Sequence, residues 1–120
     1  IDVVGAPSEA VARDIARRIA HSALVRTALY GNDPNWGRFV SAAGNSELGV
    51  DFSRLVCRLQ GTTVFERGEP TAFDRAAASR AMATDDVSLE IDLGAGNASA
   101  RVLTSDLGYR YVEINAEYTT

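Results

Sequence analysis

Residues 31–38 read Gly-Asn-Asp-Pro-Asn-Trp-Gly-Arg and include the only tryptophan of the chain. Carboxamides, a carboxylate and a guanidinium on a glycine-hinged loop suit a binding or catalytic loop. The same residues suit a turn that starts a helix, with Asp33 capping free N–H groups and Pro34 at the first helical position. That second reading leaves Asn35 and Arg38 over, free to face a cleft or a subunit contact. His21 beside Ser22 suggests a hydroxyl–imidazole pair. Adjacent residues do not make a triad, however, and a histidine closing a helix serves the dipole. Cys57 lies in a strand-like run and reads as a half-buried packing residue rather than a nucleophile. Asp85, Asp86, Glu90 and Asp92 resemble an acid cluster, but Glu90 and Asp92 alternate with apolar residues as a solvated strand face does. Gly94-Ala95-Gly96-Asn97 joins two strands and opens no helix, so it is no dinucleotide fingerprint. The end of the chain, Ile114-Asn115-Ala116-Glu117-Tyr118-Thr119-Thr120, mixes hydroxyls with apolar groups. Such a tail frays unless it docks.

The elements that must position these groups follow from hydrophobic period and breakers. Ile1–Val4 predicts a strand closed by Gly5-Ala6-Pro7. Ser8 is a natural N-cap, and Val11, Ile15 and Ile19 recur at helical spacing, so a helix runs to about His21. Leu24–Tyr30 is ambiguous, and a strand ending at Gly31 is favoured. Trp36, Phe39, Val40 and Ala43 share one face of a short helix opened by Asp33, with Gly44 just past its end. Leu55–Leu59 and Thr63–Glu66 predict two strands joined at Gln60-Gly61, after which Gly68-Glu69-Pro70 breaks the pattern. Asp74 caps an alanine-rich helix to Ala83. Val87, Leu89, Ile91 and Leu93 alternate with polar residues in the clearest strand. Residues 94–97 predict a hairpin turn, and Ala98–Thr104 its returning partner. Tyr109, Val112 and Ala116 suggest a closing helix. The sum is an α+β domain, a mixed sheet with helices packed on one face, spanning 1–120 as a single domain.

The totals exclude whole classes of function. A chain of 120 residues with 46% hydrophobic and 23% charged residues can bury one modest core. A net charge of −4 argues against a general nucleic-acid binder. All twelve cationic side chains are arginine, so no Schiff-base or P-loop lysine comes from this chain. One cysteine permits no internal disulfide, and neither metal nor cofactor is expected. No run is long enough for a membrane helix and no signal peptide is visible, so a cytoplasmic location is expected. The start at Ile1, inside a strand-like stretch, suggests a segment of a longer polypeptide.

Two stretches carry a resemblance together: Val-Arg-Thr-Ala-Leu-Tyr-Gly-Asn-Asp-Pro-Asn-Trp-Gly-Arg-Phe-Val-Ser-Ala-Ala-Gly (25–44) and Ser-Asp-Leu-Gly-Tyr-Arg-Tyr-Val-Glu-Ile-Asn-Ala-Glu-Tyr-Thr-Thr (105–120). The opening strand, the helix after it and residues 85–100 fit as well. The chain resembles the ornithine acetyltransferase family, also called the glutamate N-acetyltransferase or ArgJ family, over essentially all its length. The matching part is the C-terminal part of the β chain, which implies a roll-like α+β domain of the ArgJ-type fold.

The resemblance implies a precursor that cuts itself at an Ala-Thr bond. The new N-terminal threonine takes an acetyl group from N-acetylornithine and passes it to glutamate through an acyl-enzyme. Some members also accept acetyl-CoA. That threonine and its oxyanion donors belong to a stretch before residue 1, so no catalytic residue is expected here and the isolated chain should be inactive. The family's substrate-binding motif maps its Asn onto Asn115 and its last residue onto Thr120. A carboxamide offers donors and an acceptor to an amino-acid head group, and Thr120 adds a hydroxyl and a terminal carboxylate. Implied partners are the α chain and the N-terminal part of the β chain, in an α2β2 assembly. No nucleic acid or membrane is expected. Gly108 and Ser41 depart from the family pattern, which more often has Ser/Thr and Ala. The alternatives are a purely structural or oligomerisation domain, and part of a related self-cleaving aminopeptidase.

Overall fold

A computed structural model describes residues 1–44 and 49–117. The described elements run β1 (Asp2–Ala6), α1 (Glu9–His21), α2 (Ala23–Tyr30), α3 (Trp36–Gly44), β2 (Val56–Leu59), β3 (Thr62–Glu66), β4 (Glu69–Pro70), α4 (Arg75–Met82), β5 (Leu89–Asp92), β6 (Ala98–Arg101) and α5 (Tyr109–Glu117). The strands form one mixed sheet in the order β4-β3-β2-β5-β1-β6, so the α+β expectation holds.

Local chemistry accounts for most boundaries. Ser8 caps α1 by accepting from the Val11 N–H at 3.2 Å, and Asp74 caps α4 by accepting from Ala77 at 3.1 Å. Gln60 and Gly61 both take positive φ, the conformation of a two-residue hairpin turn, and join β2 to β3 as expected. Arg67 and Gly68 repeat that conformation. The expected break at residues 68–70 is therefore a second tight turn, and Glu69–Pro70 forms a short edge strand on β3. Proline is tolerated there because an edge strand needs donors on one side only.

Three local expectations are corrected. Leu24–Tyr30 is helix, not strand: Ser22 accepts from the Val25 N–H at 3.2 Å and its carbonyl from Arg26 at 3.0 Å. Val25 and Ala28 are then buried at i, i+3, so capping and burial outweigh the β-branched residues in that run. The second correction concerns α3, which starts at Trp36, and the cap is Asn35 rather than Asp33: its Oδ1 accepts from the Arg38 N–H at 3.1 Å. Gly44, expected just beyond that helix, is its last residue.

The third correction is topological. β6 does not pair with β5 in a hairpin; β1 lies between them, parallel to β5 and antiparallel to β6. After β5 the chain donates Leu93 N–H to the Val4 carbonyl and Ala95 N–H to the Gly5 carbonyl, at 3.0 and 2.8 Å. It thus wraps the end of β1 and descends on the far side. Gly5 makes the close approach feasible: its φ is +64°, and a Cβ there would overlap the Asp92 carboxylate and press on the Gly94 nitrogen.

The core lies between the sheet and one layer of helices. Val3, Cys57, Leu59, Leu89, Ile91 and Leu93 meet Ile15 and Ile19 of α1, Val25, Phe39 and Met82. Each large apolar side chain so buried contributes about 1.5–3 kcal/mol. The other sheet face is polar. A row of paired positions crosses four strands there as Arg58, Glu90, Asp2 and Arg101. The adjacent carboxylates are held from outside, Glu90 by Arg58 and Asp2 by Arg101 at 2.7 Å.

Cys57 is fully buried rather than half-buried, and burial pushes its thiol up to about 12. The thiol is therefore neutral and shielded in the folded protein. A thiol reagent at pH 8 should leave Cys57 unmodified until denaturant is added; rapid modification of the native protein would contradict this placement. Because the folded value is raised, the stabilisation is complete below the unfolded thiol's pKa. It is lost as pH rises towards 12.

Candidate functional site

The octet at 31–38 is the corner between α2 and α3, and its polar groups are used inside the chain. Asp33 N–H donates to the Ala28 carbonyl at 2.9 Å, and Asn32 takes a positive φ of 49° to allow it. The Asp33 carboxylate meets the Arg75 guanidinium at 3.5 Å. Trp36 stacks on Phe65 of β3 with ring centroids 5.3 Å apart. Arg38 reaches back to α2, donating to the Leu24 carbonyl at 3.1 Å and to Thr27 Oγ1 at 3.4 Å. Of the two residues left over by the sequence, Arg38 ties α3 to α2, while Asn35 caps α3 and donates to the Asp33 carboxylate at 3.2 Å.

The other candidates separate in the same way. Ser22 Oγ accepts the capping N–H of α2, and His21 is exposed in the last turn of α1. Glu90 and Asp92 both face Arg58, which a hydrogen bond from its guanidinium to Glu90 keeps firmly cationic. Asp85 and Asp86 line a different place, an open cleft of about 780 Å³ bounded also by Tyr30, Asn32, Arg101 and Ser105. Asp2 and Asp106 add to its acidic lining.

Asn115 lies on α5, and Thr120 lies outside the described residues. What positions Asn115 is the segment between β6 and α5, which is tied along its length to the helical layer. Thr104 Oγ1 donates to the Ala20 carbonyl at 2.9 Å, at the end of α1. Arg26 of α2 donates through Nε to the Ser105 carbonyl at 2.8 Å and through Nη2 to Ser105 Oγ at 3.3 Å. The Arg26 carbonyl in turn accepts from the Leu107 N–H at 3.1 Å. The Tyr109 ring then meets the Tyr30 ring edge to face, with centroids 5.8 Å apart.

Beyond that contact α5 buries none of its own residues. Tyr109 is 82% exposed, and Tyr111, Val112 and Ile114 are exposed as well. Asn115 is exposed and donates through Nδ2 to the Tyr111 carbonyl at 2.8 Å, one turn earlier. That bond uses one of two amide N–H groups. The roles of Arg26 and Tyr30 were not legible in the sequence. Nothing in Leu24–Tyr30 marks it as the seat of a segment some eighty residues later.

The family model described as the ArgJ family matches residues 1–120, the whole chain. The chain belongs to the ArgJ family. Among ArgJ relatives, the arginine biosynthesis bifunctional protein ArgJ of Gloeobacter violaceus is 45% identical over 121 residues, covering 100% of this chain and 30% of that protein. The chloroplastic ArgJ protein of Citrullus lanatus is 47% identical over 125 residues, again covering all of this chain and 27% of its own length. The crystal structure of the bifunctional ArgJ protein from Bacillus halodurans superposes with a TM-score of 0.92 at 35% identity, covering 98% of this chain and 55% of that one. The chain spans less than a third of the length of these two curated relatives. Among the described residues no helix is long and apolar enough to cross a membrane.

Proposed function

We propose that this chain is the C-terminal part of the β chain of a self-cleaved acetyltransferase of arginine biosynthesis, completing a substrate pocket whose nucleophile lies on another segment. In this reading a threonine hydroxyl of that segment attacks the acetyl carbonyl of N-acetylornithine. The amide C–N bond breaks, ornithine leaves with the proton, and an acetyl ester remains on the threonine. The amine of glutamate then attacks the ester, the C–O bond breaks, and the hydroxyl is restored. Asn115 and Thr120 hold the polar end of the amino acid, the first through its carboxamide and the second through its hydroxyl and carboxylate. No catalytic residue, metal or cofactor is assigned to this chain. The remaining segments of the precursor are its partners in an α2β2 assembly, in the cytoplasm.

One observation carries the reading: the helix bearing Asn115 is tethered at its first turn yet buries nothing of its own. A helix of nine residues is marginal in water without packing, so its apolar side chains are suited to meet another segment. Membership of the ArgJ family, whose relatives are named for arginine biosynthesis, supports the chemistry.

The test uses the complete polypeptide. Intact-mass analysis after incubation with N-acetylornithine should find an acetyl adduct on a chain other than this one. Replacing Asn115 by alanine, or removing Thr119 and Thr120, should raise KM for the amino acid by about 10- to 100-fold, the loss of one or two bonds to a charged group. Self-cleavage should continue in both. Unchanged kinetics in both variants would leave the segment as a structural or oligomerisation element.

A further inference from the structure

We infer that the ring of Tyr30 sets the position of α5, and that it does so because residue 108 has no side chain. The inference deepens the reading of Asn115 as a substrate-binding group and, for its functional consequence, rests on it. A Cβ built on Gly108 would overlap the Tyr30 ring, with Cζ only 2.8 Å away, so the ring, 47% exposed, would have to swing off the backbone that begins α5. The ring therefore lies directly on the backbone that begins α5, and the Tyr109 ring closes on its edge at 84°. The remaining ties of this segment, from Arg26 to Ser105 and Leu107, all precede Gly108. Within this chain α5 buries nothing beyond its first turn, so this joint sets the direction in which α5 leaves the domain towards the neighbouring segment.

The joint acts as the short end of a lever. Asn115 lies six residues past Tyr109, about 9 Å along the helix axis at about 1.5 Å per residue. A tilt of about 20° at Gly108 would move Asn115 by about 3 Å, and displacements of about 1 Å in a positioning group already cost up to about 100-fold. Tyr30 is therefore a positioning residue acting through Asn115. Arg26, on the same face of α2 one turn earlier, fixes where the segment arrives rather than how α5 leaves.

The experiment compares Gly108→Ala, Tyr30→Ala, Tyr30→Phe, the Gly108→Ala/Tyr30→Ala double variant and Asn115→Ala in the complete polypeptide. One readout is amide hydrogen exchange of residues 109–117. The other is kcat and KM with N-acetylornithine. Gly108→Ala should speed exchange across α5 and raise KM about tenfold with kcat within about twofold, the signature of a displaced binding group. Tyr30→Phe keeps the ring and should match the parent. The double variant should be no worse than Tyr30→Ala, because the methyl group then has nothing to strike. Exchange and KM both unchanged in Gly108→Ala would overturn the inference, as would a double variant that sums the two single effects. Faster exchange in Gly108→Ala, with KM unchanged there and in Asn115→Ala, upholds the joint and removes Asn115 from substrate binding. If no acetyl transfer is detected at all, the exchange data still decide whether Tyr30 holds α5.

Discussion

Replacing Gly5 by valine should destabilise the protein by about 2–5 kcal/mol, from two additive sources. Gly5 sits at a φ of +64°, where a β-branched residue is strained by about 1–2 kcal/mol. The new Cβ would also overlap the Asp92 carboxylate and the Gly94 nitrogen, in the narrow place where the chain wraps the end of β1. Forcing atoms into a filled space adds about 1–3 kcal/mol. Gly61 supplies the internal control: its φ is +81°, but a Cβ there meets nothing within 4 Å. Gly61→Ala should therefore cost about 1 kcal/mol, the backbone part alone. Denaturant titration of both variants in the complete polypeptide, followed by amide exchange at Val3 and Ile91, measures the difference. Equal losses would show that β1 yields freely at Gly5.

Phe39→Ala should cost about 3–5 kcal/mol, a large share of the roughly 5–15 kcal/mol that holds a typical domain folded. Phe39 is fully buried on α3 and is the bulkiest fully buried side chain among the described residues. α3 packs against α1, α2 and β2, so removing its fully buried ring leaves a cavity that neighbouring rigid elements cannot readily close. Phe39→Leu conserves most of the volume and should cost under about 1.5 kcal/mol. The comparison uses the same titration, read at Ala43 and Cys57. Similar losses for leucine and alanine would show that shape, not volume, governs this site.

The two variants bear on the candidate site through different routes. Gly5→Val acts on the order of the strands, which brings β6 alongside β1 and delivers the chain to residue 102. Phe39→Ala acts on the packing beneath α2, and α2 carries both Arg26 and Tyr30. Each should therefore also loosen the arm that bears Asn115, even though neither residue touches it.

The sequence by itself determined what depends on neighbours along the chain. Ser8 and Asp74 cap the helices they precede, the Gln60-Gly61 turn joins the strands it was expected to join, and the alternation through Leu89 and Ile91 marks a half-buried strand. Those outcomes follow from hydrogen bonds and periods within a few residues, and the family resemblance was carried by two contiguous stretches. Tertiary structure decided the rest. Leu24–Tyr30 is helix because Ser22 caps it and Val25 and Ala28 find a core to enter, which its β-branched residues alone could not reveal. β1 separates β5 from β6 because the backbone N–H and C=O groups along its two edges pair with those strands inside the sheet, and local turn chemistry says nothing of a strand some ninety residues away. The seat of α5 on Tyr30 belongs to the same class: a missing side chain at 108 and a ring at 30 meet only once the chain has folded.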